Sequence, residues 1–302
     1  MRTIDEKTIT DAAIEQMSST ADPRLREIMA SLVRHLHEFA REVDLKAEEW
    51  LEGIRFLTAV GQKCTEHRQE FILLSDTLGM SSLVNALHDR RATAAGTKSS
   101  LLGPFYRRDA PPMPLGASID SRKGGNQICV YGRVLNVSGE PIPRASVEVW
   151  QPDDEGNYDL QRPNASEMDL RGRFLTDDQG RYYLQTVAPC GYMVPMDGPV
   201  GDMIRAQRRH GYRPAHIHFL VGAPGHREVV TAIYFKGDEH IESDTVFGVT
   251  DSLVVEPKLK DPNSPIAGVP SIRFDFRLAA AENQEMGRVG ADPSEIVAAK
   301  KN

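Results

Sequence analysis

Apolar residues over the first hundred positions recur at steps of three and four. Leu25, Ile28, Met29, Leu32, Val33, Leu36 and Phe39 make one such stripe, the spacing that lines a single face of an amphipathic helix. Asp22 and Pro23 supply its N-cap and first helical position. A second helix follows Asp44, carries Trp50, Leu51, Ile54, Leu57 and Val60, and stops near Gly61. Third and fourth helices are expected over 66–74 and 81–90. The stripe over 25–43 reads first as helix core and second as a seam between two copies.

Between 96 and 127 the periodicity stops, and Gly103, Pro104, Pro111, Pro112, Pro114, Gly116, Gly124 and Gly125 punctuate a connecting loop. Short alternating or β-branched runs then appear at 128–135, 146–151, 181–187, 215–221, 229–235 and 271–276. Each is bounded by Gly, Pro, Asn or Asp, as in an antiparallel β-sandwich, and no helical repeat separates them as parallel βαβ winding would require. The pattern predicts an α+β chain: a helical segment over 1–100, a connecting loop over 101–127, a β-sandwich over 128–280 and a polar tail over 281–302.

Composition narrows the class of partner. With 302 residues, 40% hydrophobic and 26% charged, the chain is of ordinary globular type. A net charge of -7 argues against nucleic acid and against anionic lipid surfaces. Cys64, Cys129 and Cys190 fit neither a disulfide framework nor a zinc ribbon, which points to a reducing compartment. The start, MRTIDEKTIT, lacks the apolar core of a signal peptide, and no run approaches the roughly 20 apolar residues of a membrane span. A cytoplasmic location without membrane attachment is expected.

Candidate chemistry concentrates in YRPAHIHFLV, 212–221. A strand projects residues i and i+2 to one face, so His216 and His218 can aim both rings at one point. His35 and His37 have the same spacing, but on a helix two residues turn about 200°, and those rings diverge. Two histidines alone are more readily a hydrogen-bonded or solvent-facing pair, because a metal site needs three or four ligands. The strand contains no carboxylate, and the chain has neither a HExxH helix nor a cysteine cluster. Tyr158 in DDEGNYDLQ and Tyr192 in APCGYMVPMDGPVG lie in loops after strands ending at Trp150 and Val187. Taken singly each is a packing residue with a wet hydroxyl. Beside the histidine strand they suggest phenolate ligands, which call for a hard, strongly polarising cation: ferric iron fits, zinc fits poorly.

The strand 147–150 leading into GNYDLQ, the segment GRFLTDDQGRYYLQTVAPCGYMVP and the motif RPAHIHF occur in this order with sensible spacing. Together they resemble the intradiol ring-cleaving dioxygenases, a non-haem iron(III) family, over most of 100–280. The resemblance implies one Fe(3+) per subunit held by Tyr158, Tyr192, His216 and His218. It implies O2 and a small aromatic diol or triol as substrates, and no nicotinamide or flavin. Two phenolates and a hydroxide neutralise ferric iron, so such a site tolerates burial. The same resemblance implies that Tyr192 takes a substrate proton and that Arg213 stabilises negative charge on the ring. It further implies a homodimer formed through the N-terminal helices, with a lipid bound at that interface.

Within the family, FILLSDTLG at 71–79, DGPVG at 197–201 and SDTVFGVTDSL at 243–253 resemble the hydroxyquinol 1,2-dioxygenase branch. That implies a substrate pocket lined by Leu73, Asp76, Leu102, Gly103, Pro104, Phe105, Val194, Pro195 and Val246. Asp76, otherwise an ordinary helix cap before Gly79, would accept a hydrogen bond from the third ring hydroxyl. Hydroxyquinol (1,2,4-trihydroxybenzene) would give maleylacetate; catechol or chlorocatechol cleavage to cis,cis-muconates is the alternative. Three features depart from relatives: Gly191 and Met193 flank Tyr192, and Ala232 stands where catechol-cleaving members carry glutamine. VYGRVLNVSGEPIPRASVEVW also resembles non-catalytic transthyretin-like β-sandwich modules, which do not require the tyrosines and HIH in this order. A zinc hydrolase built on His216 and His218 would lack a carboxylate ligand and a general base.

Overall fold

The computed structural model describes residues 3–65, 68–91, 95–122, 124–162 and 167–281. They group into two compact units, Met1–Ala59 and Val60–Asn302.

Near the start of the chain lie α1 (Ile9–Glu15) and α2 (Pro23–Glu42), followed by α3 (Ala47–Lys63). Asp22 caps α2 as expected, its carboxylate accepting the N–H groups of Arg24 at 2.8 Å and Leu25 at 3.3 Å, with Pro23 in the first turn. His37 bonds to Thr10 on α1 at 3.0 Å, whereas His35 pairs with Glu38 at 3.3 Å, so the helical histidine pair diverges. One expectation changes. Leu25, Ile28, Leu32, Leu36 and Phe39 are each about half exposed among the described residues, so the stripe is not wholly helix core. Trp50, Ile54 and Leu57 on α3 are exposed as well.

Helix α3 runs two residues past Gly61, and α4 (Glu70–Thr77) begins later than the expected 66. Residues 66 and 67 lie outside the described residues, as does the tail from 282 onward. Asp76 sits inside α4 and is 4% exposed, so it is not the cap of that helix. Helix α5 (Met80–Arg91) follows. Among the described residues, no helix is long and apolar enough to cross a membrane.

The strands are β1 (Gln127–Asn136), β2 (Ser146–Trp150), β3 (Arg171–Leu175), β4 (Arg181–Val187), β5 (Tyr192–Met193), β6 (Tyr212–Arg213), β7 (His216–Gly222), β8 (Val229–Phe235), β9 (Val254–Val255), β10 (Ser271–Arg273) and β11 (Phe276–Leu278); α6 (Pro199–Ala206) lies between β5 and β6. One sheet orders β3-β2-β7-β8-β9; the other is built on β1, with β4 along one edge and β10 and β11 along the opposite edge. The expected α+β class holds. Pairings of β1 with β10 and β11, and of β8 with β9, are parallel, so the sandwich is mixed rather than purely antiparallel. The run expected over 271–276 divides into β10 and the start of β11.

Alternation along β7 explains how the fold builds a site. Ile217, Phe219 and Val221 enter the sandwich core beside Val147, Val149, Phe174, Leu184 and Phe276. His216, His218 and Leu220 occupy the opposite face, which is buried too. Register places Trp150 opposite His218 on one side; on the other, Tyr234 is opposite His216 and Ala232 opposite His218.

Candidate metal centre and active site

Both histidines are buried, His216 at 0% and His218 at 1% exposure. The Nδ1 of His216 lies 2.7 Å from the carbonyl oxygen of Pro214. A carbonyl only accepts, so Nδ1 carries the proton and Nε2 presents a lone pair. That Nε2 stands 3.1 Å from Nε2 of His218 and 3.5 Å from the Tyr158 hydroxyl. Burial, then the neighbouring Arg213, holds both imidazoles well below the usual histidine range, so both are neutral donors.

Tyr158 reaches the same point from the loop after β2. Its N–H donates to the Gln161 side chain at 2.8 Å, and the next residue, Asp159, is clamped in the interior by Arg171, whose Nε lies 2.6 Å away. The Tyr158 ring is fully buried and stacks on Phe105 at 4.4 Å. Burial first, then the adjacent Tyr192, pushes its phenol well above the usual tyrosine range. Ionising it therefore needs a strong positive charge close by.

Tyr192 comes from β5, which pairs with β6 so that Tyr192 lies opposite Arg213. Its ring meets Tyr158 edge-on at 5.6 Å and lies 5.5 Å from the His216 ring. Two glycines permit these approaches. Gly156 has φ +86, and a Cβ there would stand 2.8 Å from that of Tyr192. A Cβ on Gly191 would stand 2.8 Å from the Arg213 carbonyl oxygen, which accounts for glycine at one of the unusual positions. Met193 is 46% exposed and takes no part in the cluster.

Two imidazole Nε2 atoms and two phenol rings, all on buried residues, thus converge. Neutral nitrogen donors beside two phenols, of which the buried Tyr158 ionises only next to strong positive charge, suit a hard trivalent cation. Among the described residues no group of three or more His, Cys, Asp or Glu is placed to hold a metal, so the capacity of this cluster depends on its tyrosines. Trp150 stacks on the His218 ring at 5.0 Å, nearly parallel, and fixes its plane.

Arg213, 3% exposed, directs Nη1 to His216 Nε2 at 3.1 Å. Burial works against its charge, but Asp244, with Tyr192 and Tyr234, together outweighs this and leaves Arg213 well above its ordinary value. Of the expected pocket residues, Phe105 touches the tyrosines, and Gly103 (φ +73) approaches His218, since a Cβ there would lie 3.5 Å from its ring. Leu102 packs against the same aromatic cluster. Leu73 and Asp76 are buried on α4, and Val194 and Val246 are buried in loops; Pro104 and Pro195 are half-buried. Burial pushes the Asp76 carboxyl up to about 6, against the opposing pull of Ser81 and Arg213. Asp244, Tyr234 and the stacking role of Trp150 escape a reading of the sequence; the only signal is the SDTVFG loop that also carries Val246.

Comparison with known proteins identifies the family. Residues 102–280 match the family model "Dioxygenase", and 22–96 match "Catechol dioxygenase N terminus". A hydroxyquinol 1,2-dioxygenase of Rhizobium sp. (strain MTP-10005) is 46% identical over 83% of this chain and 85% of its own. The hydroxyquinol 1,2-dioxygenase of Pseudomonas putida DLL-E4 superposes with a TM-score of 0.83 at 43% identity, covering 91% of this chain and 99% of that one. Catechol 1,2-dioxygenase from Pseudomonas arvilla C-1 superposes with a TM-score of 0.81 at 26% identity, covering 96% and 97%. Matched along both its helical and its β-rich segments, the chain belongs to the intradiol ring-cleaving dioxygenases.

Proposed function

We infer that this chain cleaves hydroxyquinol to maleylacetate, with one iron(III) per subunit held by Tyr158, Tyr192, His216 and His218. The observation that carries this reading is the convergence of two buried imidazole Nε2 atoms, 3.1 Å apart, with two buried phenol rings. Ferric iron held there would supply Lewis acidity that acidifies a bound diol and activates its ring toward O2.

The protein's own groups do the rest. Tyr192, at 7% exposure, is less enclosed than Tyr158, at 0%, so it is the phenol with room to move aside, and its oxygen takes one diol proton. Arg213 presents a permanent charge to the ring as negative charge develops there. Leu73, Leu102, Gly103, Pro104, Phe105, Val194, Pro195 and Val246 wall the pocket. Asp76 supplies a buried carboxylate to receive a third ring hydroxyl, which supports the triol over the diol. The exposed stripe on α2 supports pairing of two copies through their N-terminal helices, with room for a lipid along that apolar seam.

Oxygen uptake on hydroxyquinol, catechol and chlorocatechol tests the reading. The triol is expected to be turned over with the highest kcat/KM, by roughly 10-fold or more, because one hydrogen bond to a charged acceptor is worth about 1.5–3 kcal/mol. A higher kcat/KM on catechol or a chlorocatechol overturns the substrate assignment.

A further inference from the structure

The guanidinium of Arg213 has a fork of donors, and all but one corner is committed away from the pocket. Nε meets Oδ1 of Asp244 at 3.2 Å, and Nη2 meets Oδ2 of Asp244 and the Tyr234 hydroxyl, each at 3.4 Å. Only Nη1 is left to face His216.

These contacts close a circuit. The Ser100 hydroxyl donates to the carbonyl of Gly248 at 3.2 Å, which leaves its oxygen to accept from Tyr234 at 2.7 Å; Tyr234 in turn accepts from Arg213. The Gly248 N–H donates back to Asp244 Oδ2 at 2.9 Å, and the Val246 N–H donates to Oδ1 at 3.3 Å. Every member is buried: Asp244 is 6% exposed, Ser100 4% and Tyr234 0%. Gly248 leaves no slack, because a Cβ there would lie 2.6 Å from the Tyr234 hydroxyl and 3.0 Å from Nη2.

The loop that carries Asp244 is tied down from outside. Arg209 bridges the Thr77 carbonyl at the end of α4 and the Thr245 carbonyl, at 2.9 and 2.8 Å. Ser82 on α5 donates to the carbonyls of Val246 and Phe247, at 3.1 and 2.9 Å. Asp244 is therefore a fixed acceptor rather than a mobile counter-ion.

We propose that Asp244, supported by Tyr234 and Ser100, is a positioning residue for ring cleavage: it locks the Arg213 guanidinium so that Nη1 faces the reacting ring. The claim rests on the functional reading above, in which Arg213 faces substrate. It also explains why one loop carries both the clamp and the pocket residue Val246: a shift of the loop moves the charge and the wall together. Groups that orient a reacting group from behind typically contribute 10–100-fold, and a displacement near 1 Å costs about 100-fold.

A double-mutant cycle on the iron-loaded enzyme tests it. Asp244→Asn keeps shape but removes the charge. It is expected to lower kcat about 10–100-fold, while iron content, the visible band and the Kd for anaerobically bound hydroxyquinol stay within about 3-fold of wild type. Tyr234→Phe should lower kcat by a smaller factor. In an Arg213→Ala background neither substitution should lower kcat further, because the group they orient is gone. An iron-loaded Asp244→Asn enzyme with kcat within about 2-fold of wild type, or one that multiplies the Arg213→Ala loss in full, overturns the proposal. If Asp244→Asn does not fold, Tyr234→Phe in both backgrounds is judged by the same criterion. Wild-type turnover is measured first: its failure overturns the reading of the site, whereas an unaltered Asp244→Asn enzyme overturns the positioning role alone.

Discussion

Replacing His216 with alanine is expected to abolish iron binding and ring cleavage together. His216 stands at the centre of the cluster, with its Nε2 within 3.5 Å of His218, Tyr158 and Arg213. Its removal takes away one of the four proposed donors and leaves the positive Arg213 near Tyr158, whose phenol burial pushes well above the usual tyrosine range. Iron content should fall from near one per subunit to trace levels. Oxygen uptake on hydroxyquinol should fall by more than the roughly 10–100-fold that follows loss of a supporting outer partner. His37→Ala is the control: its ring bonds to Thr10 on a helix pair, so iron content and turnover should not change. An iron-loaded, active His216→Ala enzyme would remove this residue from the centre.

Asp76→Asn is expected to separate stability from selectivity. The carboxyl moves from 3.8 to about 6 on folding because burial penalises its charge. A folded-state value above the unfolded one means that the folded protein binds the proton more tightly. Stability is lost as pH rises through the window from 3.8 to about 6, and above it the penalty is about 3 kcal/mol. Asparagine carries no such penalty, so the metal-free variant should be about 2 kcal/mol more stable at pH 8, with about half of that gain remaining at pH 5. Urea unfolding at both pH values reads this out. The same substitution weakens the acceptor for the third hydroxyl, so kcat/KM on hydroxyquinol should fall about 10-fold or more relative to catechol. A variant with unchanged preference would remove Asp76 from specificity, and one destabilised at pH 8 would contradict the strain assigned to its charge.

How much of this could be read from the chain depends on whether the determining interaction is local. The α2 stripe and its Asp22 cap are local, and they appear where the pattern places them. Whether the stripe is core or seam depends on what covers it, which no periodicity encodes. His216 and His218 are legible because a two-residue period on a strand fixes the face they share. Strand β3, RGRFL, does not show in the pattern because Arg171 reads as solvent-facing, yet it is buried against Asp159, twelve residues away. Helix α6 hides behind Gly198 and Pro199, which read as a loop although Pro199 serves as its opening turn. Strand direction was out of reach, since the parallel partners of β1 come from the far end of the chain. Asp244 looks like any turn aspartate until Arg213, 31 residues earlier, folds against it.

The central claim, that two tyrosines and two histidines of this chain hold ferric iron, is tested most directly by the visible absorption spectrum of the iron-loaded protein. Phenolate bound to iron(III) absorbs in the visible by charge transfer, so the wild-type protein should be wine-red with one iron per subunit. A colourless protein containing one iron per subunit would contradict the assignment of Tyr158 and Tyr192.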